Sequence, residues 1–107
     1  MSDSIQYRSQ DQVINLIEKA TQQGKLTQLL DVLLTPDEKE ALIPRVNIIL
    51  ELLLDNKSQR QISQMLGVGV ATITRGSNEL KRQPEDVKAW LLKLIQTQSP
   101  KDELHRK

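Results

Sequence analysis

A cluster of cationic side chains in one stretch is the first feature of this sequence that could do chemistry. Residues 56–82 carry five basic and one acidic side chain, whereas residues 25–55 carry three basic and six acidic ones. Cys is absent and the single His is His105, so a thiolate or multi-histidine metal site is not expected. A small basic cluster is often only a solvated surface, so charge by itself permits nucleic-acid binding without establishing it.

An acidic cluster at Asp37, Glu38 and Glu40 is the main feature that could suggest an enzyme. The cluster follows Thr35-Pro36, a typical helix start, where acidic side chains stabilise the positive end of the helix dipole. A nucleophile with a neighbouring base is not apparent in the sequence. We therefore do not expect catalysis.

The elements that position these residues are predicted to be six helices, because apolar residues recur at helical spacing and no segment shows convincing strand alternation. The apolar stripes of the first two are Val13, Leu16, Ile17 and Ala20, closed by Gly24, and then Leu26, Leu29, Leu30 and Leu33. The last helix opens at Pro84-Glu85-Asp86, and Ser99-Pro100 is expected to end it. The predicted fold class is all-α.

The third predicted helix is the longest. Thr35 as N-cap, Pro36 at the first helical position and Glu38 in a capping box predict a helix that continues to about Leu54. Pro44 lies inside it, removes one backbone hydrogen bond and is expected to kink the helix.

The apolar residues of this long helix cover more than one face. They are Leu42, Ile43, Val46, Ile48, Ile49, Leu50, Leu52, Leu53 and Leu54. A helix covered on one side needs an apolar stripe only about 100° wide, and a chain of 107 residues without Phe has few bulky residues to cover the rest. A second subunit is the expected cover, which predicts a homodimer; the alternative is a central helix wrapped by its own neighbours.

Length and composition indicate one domain over residues 11–98, preceded by a flexible arm at 1–10 and followed by a charged tail at 99–107. Neither a membrane-spanning run nor a signal sequence is recognisable. We expect a cytoplasmic protein with no membrane partner.

Residues 58–82 have the pattern of a helix-turn-helix. Ser58 is a predicted N-cap for a short helix over 59–66, Gly67-Val68-Gly69 breaks that helix, and Val70 starts another. The motif needs apolar residues that fix the two helices at a steep angle and a small residue at the turn. The residues that satisfy it are Ile62, Gly67, Val68 and Ile73. An ordinary helical hairpin can show the same pattern, so the exposed side chains have to decide.

The exposed side chains of this motif suit double-stranded DNA. The second helix opens with small, methyl-bearing and hydroxyl side chains that fit closely into a major groove, and basic or amide side chains flank it to hold phosphates. The predicted DNA-binding residues are Lys57, Gln59, Arg60, Gly69, Val70, Ala71, Thr72, Thr74, Lys81 and Arg82.

Gly76 is unexpected inside the second helix of the motif. Its period places it beside Ile73 and Leu80, and an interior glycine costs a helix about 1 kcal/mol relative to Ala. Two explanations stay open: close packing against a neighbouring helix, or a space for a ligand with Arg75 as one wall.

Several of these motifs resemble one family. LLTPDEKEAL, RVNIILELL, SQRQISQMLGVGVATITRGSNEL and the late AWL are similar to the tryptophan operon repressors of enteric and related bacteria. The resemblance implies an all-helical, intertwined homodimer that binds L-tryptophan as co-repressor and then a pseudo-palindromic operator, shutting off tryptophan biosynthesis genes. This family is itself a standard example of helix-turn-helix docking and water-mediated base contacts, so both features are implied by the resemblance alone. No cofactor besides the co-repressor is expected.

The resemblance also implies which residues bind tryptophan. They are Val32, Leu34, Thr35, Arg45, Thr72, Arg75, Gly76 and Glu79. Arg45 and Arg75 match two arginines that enclose the indole, and guanidinium groups do stack on aromatic faces. Gly76 would leave room for the ring, and Thr72 would stand between ligand and operator.

The amino-acid end of the ligand is implied to meet a different set of groups. Arg75 and Thr35 would bind its carboxylate, and the backbone carbonyls of Val32 and Leu34 would accept hydrogen bonds from its ammonium. Without the resemblance, Arg45 is simply a solvated charge and Thr35 simply a helix cap.

Two positions depart from the family pattern. Glu79 stands where the family has a Ser that binds the ligand's ammonium; a carboxylate could pair with that ammonium more strongly or point into water. Ile43-Pro44 replaces a small and polar pair directly before Arg45, where a kink could shift the pocket wall.

The mechanism expected from this resemblance is a population shift, in which tryptophan acts as a wedge that orders two loosely held DNA-reading heads. Because the groove-facing side chains are short, water and DNA deformability should carry part of the specificity. The alternative function is a helix-turn-helix DNA-binding protein of the same superfamily that needs no ligand, such as one resembling the replication-initiator DNA-binding domain.

Overall fold

The structure is a computed structural model and describes residues 4–97. These residues form six α-helices without a strand, which confirms the all-α prediction. The helices are α1 (Gln10–Gln22), α2 (Leu26–Leu33), α3 (Pro36–Leu54), α4 (Gln59–Leu66), α5 (Val70–Lys81) and α6 (Glu85–Gln96). The expected stop at Ser99-Pro100, the charged tail and the start of the N-terminal arm lie outside the described residues.

Three of the helix starts are closed by reciprocal capping boxes. In each, a hydroxyl accepts the N–H of the third helical residue, whose side chain in turn accepts the N–H of the cap. The pairs are Ser9 with Gln12, Thr35 with Glu38, and Ser58 with Gln61. The predicted starts of α3 at Thr35 and of α4 at Ser58 are therefore confirmed.

Three helix ends turn through the left-handed region of backbone space. Gly24 and Gly67 have φ of 72° and 70°, which glycine adopts without steric cost. Asp55, directly after α3, has φ of 54° and is a non-glycine residue in this conformation. Aspartate tolerates it better than most side chains do.

The chain divides into two compact units, one ending at Lys39 and the other beginning at Glu40. In the first unit α1 is in contact with α2, and Lys39 Nζ lies 2.7 Å from Asp31 Oδ1. Within residues 4–39 no side chain is buried. The single domain expected over residues 11–98 stays a prediction.

In the second unit, α3 continues without interruption through Pro44 to Leu54, as predicted. The expected kink at Pro44 stays a prediction. No helix within residues 4–97 is both long and apolar enough to cross a membrane.

The core of the second unit is small and lies where α4 and α5 meet the end of α3. Its buried side chains are Ile48, Ile62 and Ile73, and Leu52, Leu66 and Val68 pack against them. Ser63 Oγ donates a hydrogen bond to the carbonyl of Val68 across the turn. This arrangement of α4, turn and α5 confirms the predicted helix-turn-helix.

Candidate functional site

A cavity of about 420 Å³ lies between α3 and α5 in the second unit. Its volume falls within the range of about 300–1,000 Å³ usual for small-molecule sites. The lining residues are Arg45, Ile48, Ile49, Thr72, Arg75, Gly76 and Glu79. Five of them, all except the two isoleucines, belong to the predicted tryptophan-binding set.

Helical spacing explains why these residues share one cavity. Thr72, Arg75, Gly76 and Glu79 are separated by three, four and seven positions, so they lie along one face of α5. On α3, the isoleucines follow Arg45 by three and four positions, which places all three on adjacent turns. The cavity thus has an apolar floor with charged groups at its walls.

Two cations and one anion line the cavity. Arg75 Nη2 lies 3.5 Å from Thr72 Oγ1, and Arg45 and Arg75 are both exposed. Glu79 Oε2 lies 3.4 Å from Nη1 of Arg82, the residue directly after α5. This charge distribution suits a ligand that carries an anionic and a cationic group on an apolar body.

The surroundings of Gly76 bear on why a glycine stands there. A Cβ added to it would lie 3.4 Å from Ile48 Cγ2 and 3.8 Å from Leu52 Cδ1, which are ordinary van der Waals distances. The packing of α3 against α5 therefore does not itself demand a glycine. The space that an added methyl would occupy borders the cavity.

Not all of the predicted ligand residues lie at this cavity. Val32, Leu34 and Thr35 belong to the first unit, where Val32 is 81% exposed. Thr35 caps α3, so its predicted role as a helix cap is confirmed. Val32 lies in the last turn of α2, where carbonyls lack helical donors.

Sequence reasoning missed Ile48 and Ile49 as lining residues. Both were assigned only to the apolar surface of the long helix. Their spacing of three and four from Arg45 was the signal that could have found them, because residues at that spacing share a helix face.

The predicted DNA-binding residues lie mostly on the surface of the helix-turn-helix. Gly69, Val70, Ala71 and Thr74 at the start of α5 are exposed, as are Arg60, Lys81 and Arg82. Thr74 Oγ1 lies 2.8 Å from Gln59 Oε1, so this hydrogen bond ties the start of α4 to α5. It leaves the amide NH₂ of Gln59 free to donate elsewhere.

The basic residues that flank the helix-turn-helix differ in how strongly they pair with carboxylates of the same chain. Lys57 Nζ lies 3.0 Å from Oε1 of Glu51, a carboxylate whose side chain is only 12% exposed. Arg82 is paired with an exposed partner, and its side chain is 73% exposed. Lys57, Gln59 and Lys81 line a common groove of about 650 Å³. Of the proposed phosphate contacts, Lys57 is therefore the most strongly engaged within the chain.

Comparison with known proteins decides the family. The family model described as "Trp repressor protein" matches residues 8–95. The chain is 55% identical to the Trp operon repressor homolog of Aliivibrio salmonicida (strain LFI1238) over 107 residues, covering 100% of this chain and 99% of that protein. It is 57% identical to the homolog of Aliivibrio fischeri (strain MJ11), covering 97% of this chain and 95% of that protein. The chain belongs to the Trp repressor family.

The Vibrio cholerae Trp operon repressor homolog (serotype O1, El Tor Inaba N16961) is 62% identical over 84 residues, covering 78% of this chain and 82% of that protein. Membership of the Trp repressor family makes the chain a regulatory DNA-binding protein of the transcriptional repressor class and not an enzyme. The predictions of a repressor and against catalysis are confirmed. The acidic residues after Thr35 are accordingly the first turn of α3, where they complement its dipole.

Proposed function

We propose that this chain is a transcriptional repressor activated by L-tryptophan, which binds as a homodimer to a pseudo-palindromic operator and shuts off tryptophan biosynthesis genes in the cytoplasm. The observation that carries the proposal is the cavity between α3 and α5, which combines two guanidinium groups, one carboxylate and an apolar floor beside the second helix of the helix-turn-helix. Family membership supports the regulatory role.

The cavity fits the three chemical parts of tryptophan. Ile48 and Ile49 offer apolar surface to an indole, and Arg45 and Arg75 offer planar cations that can stack on its faces. Arg75 can also bind the carboxylate, as guanidinium groups bind carboxylates in two parallel hydrogen bonds. Glu79 is the acidic residue at the cavity and therefore the partner for the ammonium.

For Val32, Leu34 and Thr35, a role in binding the ligand is a proposal that rests on the family resemblance. The hydroxyl of Thr35 accepts a hydrogen bond within its capping box and can still donate one to a carboxylate. Carbonyls at the end of α2, those of Val32 and Leu34, are proposed to accept hydrogen bonds from the ammonium.

The homodimer is supported by how little of the described chain is buried. Among residues 4–97, the buried apolar side chains are three isoleucines. Large apolar residues on several helices remain exposed, among them Val32 at 81%, Trp90 at 59% and Ile43 at 57%. Exposed apolar surface on this scale is typical of an interface. A second copy of the chain is the proposed cover.

The proposed contacts with DNA divide into two kinds. Val70, Ala71, Thr72 and Thr74, at the start of α5, would enter the major groove, while Arg60, Lys81 and Arg82 would hold phosphates. Because the first group is short and uncharged, direct base contacts should be few. Water bridges and DNA deformability then supply much of the specificity, as they do in this family, itself a standard example.

Tryptophan is proposed to act by favouring one position of the DNA-reading head. A ligand between α3 and α5 stabilises the arrangement in which it fits, and it shifts the equilibrium only by its difference in affinity for the two arrangements. The factor by which tryptophan raises operator affinity must then equal the factor by which the operator raises tryptophan affinity.

Calorimetric titration of the purified protein with L-tryptophan tests the proposal. We expect saturable binding of one tryptophan per chain, and operator binding that strengthens with tryptophan in a gel-shift or fluorescence titration. D-tryptophan and L-phenylalanine are the controls for chirality and for the indole. A protein that binds the operator equally well with and without L-tryptophan, and gives no heat with it, is the ligand-independent alternative.

A further inference from the structure

The ion pair between Glu79 and Arg82 joins the ligand cavity to the DNA-binding flank. Glu79 lines the cavity, whereas Arg82 follows the last residue of α5 and is a proposed phosphate contact. Their charged atoms are 3.4 Å apart, and their side chains are 68% and 73% exposed. One carboxylate therefore lies within reach of both a ligand and a DNA-contacting cation.

We propose that Glu79 exchanges partners when the co-repressor binds. In the free protein its carboxylate pairs with the guanidinium of Arg82; in the complex it pairs with the ammonium of the ligand, and Arg82 becomes free to contact a DNA phosphate. This inference rests on the proposed function, since it needs an amino-acid ligand in the cavity. It makes Glu79 a determinant of specificity for a ligand ammonium and Arg82 a ligand-dependent DNA contact.

The charges around Glu79 favour such an exchange. Arg82 is the only basic side chain that pairs with Glu79 among the described residues. An exposed pair three positions apart on a helix is weak, because water screens both charges and two long side chains must be held in place. An ammonium group that the cavity already holds in place loses less conformational entropy when it pairs with Glu79. It therefore displaces Arg82 readily.

Once released, Arg82 is well placed to act on DNA. The guanidinium is permanently charged and binds phosphate in two hydrogen bonds, so its release adds one phosphate contact. While Arg82 is paired with Glu79, the nearby anion lowers its attraction for DNA phosphates. The exchange thus adds an electrostatic contribution to DNA affinity, beside the effect of rearranging the head.

The first test is tryptophan affinity without DNA, measured by calorimetry on Arg82→Gln, Glu79→Gln and the double variant. Removing the competitor should make Arg82→Gln bind L-tryptophan about twofold more tightly than the parent, the size expected for an exposed i,i+3 pair. Glu79→Gln should bind about tenfold more weakly, since it loses a charged partner of the ammonium. In the Glu79→Gln background, Arg82→Gln should change nothing.

Two controls separate exchange from a general change in charge. Lys88→Gln also removes one cation from an i,i+3 pair, with Glu85 at 3.2 Å on α6, and should leave tryptophan affinity unchanged. Indole-3-propionate, which is tryptophan without its ammonium, should bind the parent and Arg82→Gln equally. Equal gains for both ligands, or an equal gain in the Glu79→Gln background, would overturn the proposal.

The second test is the salt dependence of operator binding. At saturating L-tryptophan, Arg82→Gln should lower the slope of log K against log salt by about one unit, whereas without tryptophan the two proteins should differ less. Identical slopes with tryptophan would show that Arg82 is not released to DNA. A parent that does not bind tryptophan would instead refute the proposed function; a parent that binds it while the variants show no coupling refutes only the exchange.

Discussion

The helix-turn-helix and the helices that flank it differ in how much of their apolar surface the chain itself covers. The reading head, α4 and α5 with the end of α3, encloses Ile62 and Ile73 completely and Ile48 to within 2%. By contrast, no residue is buried in α1, α2 or α6, as far as residues 4–97 are concerned. The head has a core of its own, whereas the flanking helices leave apolar faces exposed.

This difference assigns separate tasks to the two regions. A head with a self-contained core can keep the geometry of its two helices while its position changes, and the proposed control of DNA binding by a ligand requires this. If the flanking helices bury their apolar faces against a second subunit, as proposed, folding and association become one process. Three predictions test this division of tasks.

The largest effect is expected in the flanking helices, at Trp90 of α6. Trp90 is the largest exposed apolar side chain and is 59% exposed in the chain by itself. If a second subunit covers it, Trp90→Ala should weaken dimerisation by about 3 kcal/mol or more, roughly a hundredfold in the dissociation constant. Sedimentation equilibrium over a range of protein concentrations measures this constant.

Lys93→Ala, an exposed polar position on the same helix, is the matched control and should leave dimerisation unchanged. A parent protein that sediments as a folded monomer at micromolar concentration would contradict the prediction. It would equally remove the basis for a two-fold symmetric operator.

The second prediction concerns the cavity wall at Gly76, in the reading head. Ala at this position fits against Ile48 and Leu52 at ordinary distances, so Gly76→Ala should raise the stability of the ligand-free protein by up to about 1 kcal/mol. The same methyl should collide with a bound indole and lower tryptophan affinity at least tenfold, about 1.4 kcal/mol. Calorimetry and a melting curve on one preparation give both quantities.

Asn78→Ala serves as the control for helix propensity, because Asn78 is exposed on α5 and does not line the cavity. It should raise stability without changing tryptophan affinity. Should Gly76→Ala bind tryptophan as well as the parent, the ligand does not lie at this wall. A loss of stability in both states would indicate close packing instead.

The smallest effect is expected at Arg60, on the exposed face of α4. Arg60→Ala should weaken binding to operator and non-operator DNA alike and lower the salt slope by about one unit, because one phosphate contact is lost. Lys93→Ala provides the comparison, as it removes one positive charge from α6. An unchanged slope would remove Arg60 from the contacts with DNA.

The sequence predicted the start of α3 and both ends of α4 well because these limits are set locally. Ser58 and Thr35 fix two helix starts through hydrogen bonds that reach only three residues ahead, and Gly67 ends α4 in a conformation that favours glycine. Such signals do not depend on the rest of the fold. The helix-turn-helix could thus be placed to the residue.

The contacts of the cavity were harder to predict, since they depend on how α3 lies against α5. The apolar floor at Ile48 and the pairing of Glu79 with Arg82 were both missed. The ion pair between Lys57 and Glu51 was missed for a similar reason, because the residues lie on either side of the bend at Asp55. Sequence spacing shows which side chains share a helix, not which rotamers they adopt.

The three capping boxes also have a consequence for the order of events in folding. Each uses groups at most three residues apart, so those helix starts can form within the microseconds or less that a short helix needs, before distant parts of the chain meet. Structure of such local origin is formed early and at low cost in chain entropy. For the proposed homodimer, the slow step is then the encounter of two partly helical chains, so the rate of assembly should follow protein concentration.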